Sequence, residues 1–253
     1  MNTSPENRPA QNSAANPWAL RPREALAALK KLLADPEATE HVFTIVRALS
    51  GKSLLRGFLR FRKTAVGERI LSEKRNLIDT LSNRDWLRSL PAGSLGAHYL
   101  QFVESQNLSA DGLVEASQPE EDEAYGDDPN IRLYGERLRD QHDLWHVTTG
   151  YFRDVRGEVC LLAFTVAQTG NPGLALITLA GMLKTAGESK DWRIVKAALN
   201  GFMNGRRAAW LPATEWETML ARPLHEVRSM LKIRAPRVYP EISEGSPAYA
   251  SFA

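Results

Sequence analysis

Residues 141–183, QHDLWHVTTGYFRDVRGEVCLLAFTVAQTGNPGLALITLAGML, decide the fold. Their apolar positions follow helical spacing, with no strand-like alternation. The spacing predicts the end of one helix, 130–151, then the Gly150 region and a tight turn at Val155-Arg156-Gly157, then a second helix, 156–169. Asn171-Pro172 sets a capping acceptor before a proline suited to a first helical turn. The helix that follows, through Leu183, is apolar almost all round, which predicts a central helix that is buried or lines an apolar cavity.

The same spacing runs outward in both directions. Leu26, Leu29, Leu32 and Leu33 share a face in REALAALKKLLAD, Asp35-Pro36 ends that helix and starts another, and Val42, Ile45, Val46 and Leu49 form the next face up to Gly51. SLLRGFLRFRKTAVGERIL interleaves Leu54, Leu55, Phe58, Leu59 and Phe61 with Arg56, Arg60, Arg62 and Lys63. Such a segment is either a basic face over a packed apolar one or an amphipathic helix lying on an anionic membrane surface. A short helix ends near Pro91, and Leu95, Tyr99, Phe102 and Val103 share a face in the next. DWRIVKAALNGFMNGRRAAWL and EWETMLARPLHEVRSMLKI complete the helical set. The fold class is all-α: a flexible tail (1–18), one helical domain (19–235) and an irregular C-terminal tail (236–253), with a solvated acidic loop at 117–129.

Composition narrows the function classes. The 253 residues carry 32 basic and 30 acidic side chains, a balance that gives no support to nucleic-acid binding from bulk charge. The one cysteine, Cys160, sits in EVCLLAF and reads as a buried packing thiol, so neither an intramolecular disulfide nor a cysteine-rich zinc site is available. The first 18 residues lack an apolar signal core and resemble a transit peptide poorly. The strongly apolar run at 173–183 is about half the ~20 residues that cross a bilayer, so no transmembrane helix is expected. Neither a G-x-G-x-x-G fingerprint nor a G-x-x-x-x-G-K-[ST] loop is present, leaving no visible dinucleotide or nucleotide site.

The chemistry-bearing residues lie in the opening stretch. On a helix His142 and His146 are ~40° apart, and Asp143 falls within ~100° of one and ~60° of the other. Glu158, twelve residues beyond His146, stands near the start of the next helix and can reach the same point. Mixed imidazole and carboxylate sets suit zinc, manganese or iron and leave room for water or substrate. The competing reading is ordinary: surface or core histidines, and acids in helix pairs. Two known patterns use similar letters. The zincin H-E-x-x-H would need Glu where Asp143 stands, and a His-Asp phosphohydrolase dyad would need an upstream histidine such as His98.

The segment QHDLWHVTTGYFRDVRGEVCLLAFTVAQTGNPGLALI resembles the core signature of the ubiquinone (coenzyme Q) biosynthesis protein 4 family, H-D-x-x-H, eleven residues, then E. His142, Asp143, His146 and Glu158 fill its positions. The resemblance extends through DWLRSLPAGSLGAHYLQFV and the W-E-x-x-L-x-x-P-L-x-x-V-R ending, over about residues 65–233.

The resemblance implies an all-helical, dimeric protein on the inner face of a membrane, handling polyprenylated ring intermediates of quinone synthesis. It implies a divalent metal ion (zinc ahead of iron, manganese or cobalt) held by His142, Asp143, His146 and Glu158, which are also the candidate catalytic residues. Asp143 is either a ligand or the group that orients a histidine from behind. The expected activity is a lyase-type removal of the C1 carboxylate of a prenylated hydroxybenzoate with hydroxylation there, O2 supplying the oxygen. The alternative is a non-catalytic, prenyl-lipid-binding scaffold that organises other ubiquinone biosynthesis proteins. Arg139 is a candidate contact for an anionic head group or a counterion to Asp143. Leu162, with Leu161, Phe164 and the apolar helix, is a candidate for the prenyl groove. Expected partners are the polyprenylated quinone precursor, other ubiquinone biosynthesis proteins, the membrane surface and a second copy of the chain. The expected location is cytoplasmic, peripheral on the inner face of the cytoplasmic membrane.

Overall fold

The structure, a computed structural model, describes residues 18–35, 38, 40–105 and 128–243. The N-terminal tail before Trp18, the acidic loop at 117–127 and the last ten residues lie outside the described residues. The helices are α1 (Pro22–Ala34), α2 (Glu40–Ser50), α3 (Ser53–Phe61), α4 (Ala65–Glu73), α5 (Leu77–Leu81), α6 (Arg84–Arg88) and α7 (Leu95–Ser105). Then follow α8 (Pro129–Asp140), α9 (His142–Thr149), α10 (Val155–Thr169), α11 (Pro172–Ser189), α12 (Arg193–Arg207) and α13 (Leu224–Met230), with 3-10 turns at Leu211–Ala213, Trp216–Thr218 and Tyr239–Glu241. Among the described residues, β-type pairing is confined to one isolated bridge, Ser94 with Pro223. The chain is all-α, as its periodicity predicts.

The main core is built on α7, α9, α10 and α12, and it includes Phe102, Leu144, Trp145, Leu161, Phe164, Ile194 and Trp216. α10 and α12 pack most intimately. A Cβ added at Gly201 would lie 2.5 Å from the Cys160 carbonyl oxygen, and one at Gly205 would lie 2.6 Å from that of Phe164. Two glycines one turn apart therefore let α12 rest directly on the backbone of α10. A second cluster joins α1, α2 and α11 around Ala25, Leu29, Leu32, Ile45 and Ile177. A third joins α3, α4 and α8 around Phe58, Phe61, Ile70 and Tyr134.

Several elements differ from their expected form. The helix expected over 130–151 is two, jointed at Gln141, whose backbone opens to ψ −3°. The buried Gln141 side chain accepts a 2.8 Å bond from the Trp216 indole, so the joint is anchored from the far end of the chain. Val155-Arg156-Gly157 is no turn but the first turn of α10, because Asp154 caps it with Oδ1 accepting from the backbone N–H groups of Arg156 and Gly157, each at 3.1 Å. α11 is not the buried central helix its composition suggests. It packs on α2, α10 and α12 with one side only, and Leu179 and Leu183 remain half exposed. In α1 the face turns slightly, so that Ala25 and Ala28 are buried and Leu26 is exposed. Residues 236–243, expected in an irregular tail, carry a helical turn whose Tyr239 and Ile242 belong to the main core. Cys160 is fully buried, as expected.

The basic segment resolves into α3 and α4. Phe58 and Phe61 are buried against Tyr134, while Arg56, Arg60, Arg62 and Lys63 are exposed. Arg60 lies over the Trp210 ring at 4.0 Å and Arg62 over Phe58 at 5.9 Å. The apolar side of α3 is thus largely used within the fold, and the segment presents mainly its cationic side to solvent.

Candidate metal centre

α9 is a short helix, stopped at Gly150, which takes φ +77° as a left-handed C-cap. The buried Arg228 of α13 donates to the last-turn carbonyls of Val147 and Thr148, at 3.1 and 3.0 Å, which satisfies acceptors the helix itself leaves open. Burial holds the Arg228 pKa down at about 10. This helix places His142 and His146 one turn apart, with ring centroids 4.8 Å apart and ring planes 80° apart. His146 also stacks on Phe102, with centroids 5.3 Å apart.

The chain then reverses through 150–154, and the Asp154-capped α10 brings Glu158 back against the two rings. Glu158 Oε1 is 3.3 Å from His146 Nε2, and Oε2 is 4.0 Å from His142 Nε2. One ligand atom from each of His142, His146 and Glu158 lies within 4.8 Å of the others.

Both imidazoles are fixed from behind. His142 Nδ1 lies 3.1 Å from Asp143 Oδ1, and His146 Nδ1 lies 2.8 Å from the Tyr151 carbonyl oxygen. A carbonyl only accepts, so Nδ1 of His146 donates, and in the neutral ring the lone pair is on Nε2, facing Glu158. That buried Nε2 makes no hydrogen bond despite the carboxylate 3.3 Å away. The donor atoms therefore converge on a common point rather than bonding one another. Rings anchored at Nδ1 with Nε2 turned to a carboxylate opposite form a donor set that could hold a divalent metal ion. The residues fit the ion the sequence pattern implies.

The groups of the site also act on one another's protonation. At His142 burial works against the charged form, yet the hydrogen bond it donates to Asp143 and the charge of Glu158 outweigh it and raise the pKa. At Glu158 burial acts in the opposite sense to the shift, but His146 first, then His142 and Arg153, hold the carboxyl down at about 2. The Arg153 Nε, 3.6 Å from Glu158 Oε1, is a cation at the site that the sequence reading passed over.

Of the sequence-derived candidates, the structure brings together His142, His146 and Glu158 and sets Asp143 behind His142. Arg139 is engaged by its neighbour Asp140. Its side chain is buried, and Nε and Nη2 both reach Asp140 Oδ1 at 2.8 Å. Leu162 lies one turn beyond Glu158 and packs, partly buried, against the α1, α2 and α11 cluster. His98 is on α7 and is not among the grouped donors. A cavity of about 480 Å³ lined by Arg60, Gln168, Phe202, Arg206 and Trp210 lies at the opposite end of α10 from Glu158.

A sequence model described as coenzyme Q (ubiquinone) biosynthesis protein Coq4 matches residues 13–237. The chain belongs to the Coq4 family. Among relatives, it is 31% identical over 172 residues to the mitochondrial ubiquinone biosynthesis protein COQ4 of Podospora anserina, a match covering 67% of this chain and 54% of that one. With the human COQ4 homolog it shares 27% identity over 180 residues, 71% of this chain and 65% of the other. The chain thus spans between half and two thirds of these relatives' lengths. A crystal structure of a protein from Nostoc punctiforme PCC 73102, described as a candidate ubiquinone biosynthesis protein, superposes with a TM-score of 0.63 at 22% identity. It covers 84% of this chain and 98% of the other, a likeness of fold. In this Coq4-family fold no described helix is long and apolar enough to cross a membrane.

Proposed function

We propose that this Coq4-family chain catalyses a metal-dependent oxidative decarboxylation of a polyprenylated 4-hydroxybenzoate in ubiquinone biosynthesis. The observation that supports it most is the convergence of His142 Nε2, His146 Nε2 and the Glu158 carboxylate, with both Nδ1 atoms already engaged. His142, His146 and Glu158 would hold the ion. Two histidines and one carboxylate suit zinc and equally iron(II), and leave positions for substrate. When bound, such an ion supplies Lewis acidity to the ring carboxylate and phenolic oxygen, stabilising negative charge as CO2 leaves.

In net terms the C1–carboxyl bond breaks and a C1–oxygen bond forms. O2 is the oxidant, its second oxygen leaves as water, and a two-electron reductant supplies the balance. Asp143 and the Tyr151 carbonyl keep the rings oriented, and Glu158 stays ionised. Arg153 lends positive charge beside it. Leu162 and the exposed leucines of α11 offer apolar surface to the prenyl tail, each buried CH2 contributing about 0.8 kcal/mol. Arg139, held by Asp140, makes no substrate contact in this reading.

The test compares wild type with His142→Ala/Glu158→Ala by elemental analysis, then by CO2 release from a prenylated 4-hydroxybenzoate with and without O2. Bound divalent metal lost in the variant, with O2-dependent CO2 release by wild type alone, is the expected result. Metal-free wild type without turnover would overturn it.

A second reading, a lipid-presenting scaffold, is favoured by the exposed Leu179, Leu183, Leu199 and Met203. There the chain would sit as a homodimer on the inner face of the cytoplasmic membrane and organise other ubiquinone biosynthesis proteins. Normal quinone synthesis by the doubly substituted variant would select this reading.

A further inference from the structure

The peptide group between Tyr151 and Phe152 is used on both sides. Its carbonyl accepts from His146 Nδ1 at 2.8 Å, and its N–H donates to the Tyr239 hydroxyl oxygen at 3.0 Å. The Tyr239 hydroxyl in turn donates to Asp154 Oδ2. Asp154 uses its other oxygen, Oδ1, to cap α10, four residues before Glu158. The bonds form one unbroken chain, from a histidine of the centre through an amide, a phenol and a carboxylate to the helix that carries the opposing glutamate.

We propose that Tyr239 is a positioning residue of the metal centre, the junction at which the orientation of His146 and the placement of Glu158 are set together. The proposal rests on the metal-binding reading above. His142 has a carboxylate directly behind it, Asp143. His146 has instead a neutral carbonyl, and the relay through Tyr239 supplies the missing carboxylate from Asp154. Successive hydrogen bonds polarise one another, so a hydroxyl tied to a carboxylate is a better acceptor for the amide N–H, and that amide presents a better acceptor to the imidazole. The ring of Tyr239 is independently seated, edge-on to Tyr151 with centroids 5.4 Å apart. Arg156 Nη1 donates to the Ile242 carbonyl at 3.1 Å, which fastens the same segment a second time. Removing the hydroxyl alone therefore breaks the relay and leaves the packing in place.

The experiment titrates Co2+ into full-length wild type, Tyr239→Phe, Asp154→Asn and, as a control, Tyr134→Phe, a buried tyrosine of a different cluster. Dissociation constants come from chelator competition, the visible spectrum of the bound ion is recorded, and metal-free melting gives the state of the fold. The expected result is a weakening of about 10–100-fold for Tyr239→Phe, the range found for groups that orient metal ligands. It should come with an altered spectrum, and Tyr134→Phe should match wild type. A general loss of packing would lower melting without changing the spectrum of the folded fraction. If Tyr239→Phe does not fold, Asp154→Asn carries the test with the same expectation, since Asn retains a capping oxygen. Wild-type affinity and spectrum in these variants overturn the proposal. A wild type that takes up no Co2+ overturns the metal reading and this proposal with it.

Discussion

Asp143 stands behind His142, its Oδ1 3.1 Å from Nδ1, while the Nε2 of the same ring faces Glu158. A carboxylate so placed fixes the ring without occupying the centre. Asp143→Asn is therefore expected to weaken divalent-metal binding about 10–100-fold, and His142→Ala to weaken it further. Chelator competition measures both. Equal losses would place Asp143 among the ligands.

Metal removal should lower thermal stability. With free ion at about a hundred times its dissociation constant, binding to the folded state alone contributes about 2.7 kcal/mol. Melting with and without a chelator reads this, and His142→Ala/Glu158→Ala should melt at one temperature under both conditions. A chelator effect undiminished in that variant would locate the ion elsewhere.

Gly201→Ala should cost about 1–3 kcal/mol, since its new methyl would meet the Cys160 carbonyl at 2.5 Å and push α12 off α10. Denaturant unfolding measures the loss. Leu199→Ala, on the exposed side of the same helix, should stay within about 0.5 kcal/mol of wild type.

Glu215 predicts an acid limb. Burial alone would raise its pKa, but hydrogen bonds from Arg75 and Arg69, each 2.6 Å, hold it below the ordinary 4.5. Its contribution is fully present above that ordinary value and is lost as pH falls through the lowered one. Glu215→Gln should cost on the order of 1 kcal/mol at pH 7 and progressively less in acid. Parallel stability curves for the two proteins below pH 5 would contradict this.

The apolar periodicity made the helices legible because each buries a stripe, as at Leu95, Tyr99, Phe102 and Val103. It failed for α11 because burial depends on what arrives at the other side, and the described residues leave Leu179 and Leu183 half exposed. The grouping of His142, His146 and Glu158 was readable from helix geometry and the family signature, being local in the chain. The place of Asp143 behind His142 was not, since adjacent positions on a helix differ in reach by a rotamer. Asp154, five residues ahead of the apolar run that begins at Val159, carried a capping signal. Tyr239 carried none, because its partners lie 85 and 87 residues away. The Gln141 joint likewise depends on Trp216, 75 residues on.

The separation of these parts along the chain sets an order of assembly during synthesis. His142, His146 and Glu158 span a single helical hairpin, closed by a five-residue connection, Gly150 to Asp154. Loops this short close in well under a microsecond. Tyr239 is added 239 − 158 = 81 residues after the last ligand. At about 5–20 residues per second, the nascent chain spends several seconds with His142, His146 and Glu158 made and Tyr239 still absent. If the proposed centre binds metal, it would therefore stand nearly complete in composition, yet without its Tyr239 junction, before whichever metal ions surround the ribosome until the finished fold settles the rings.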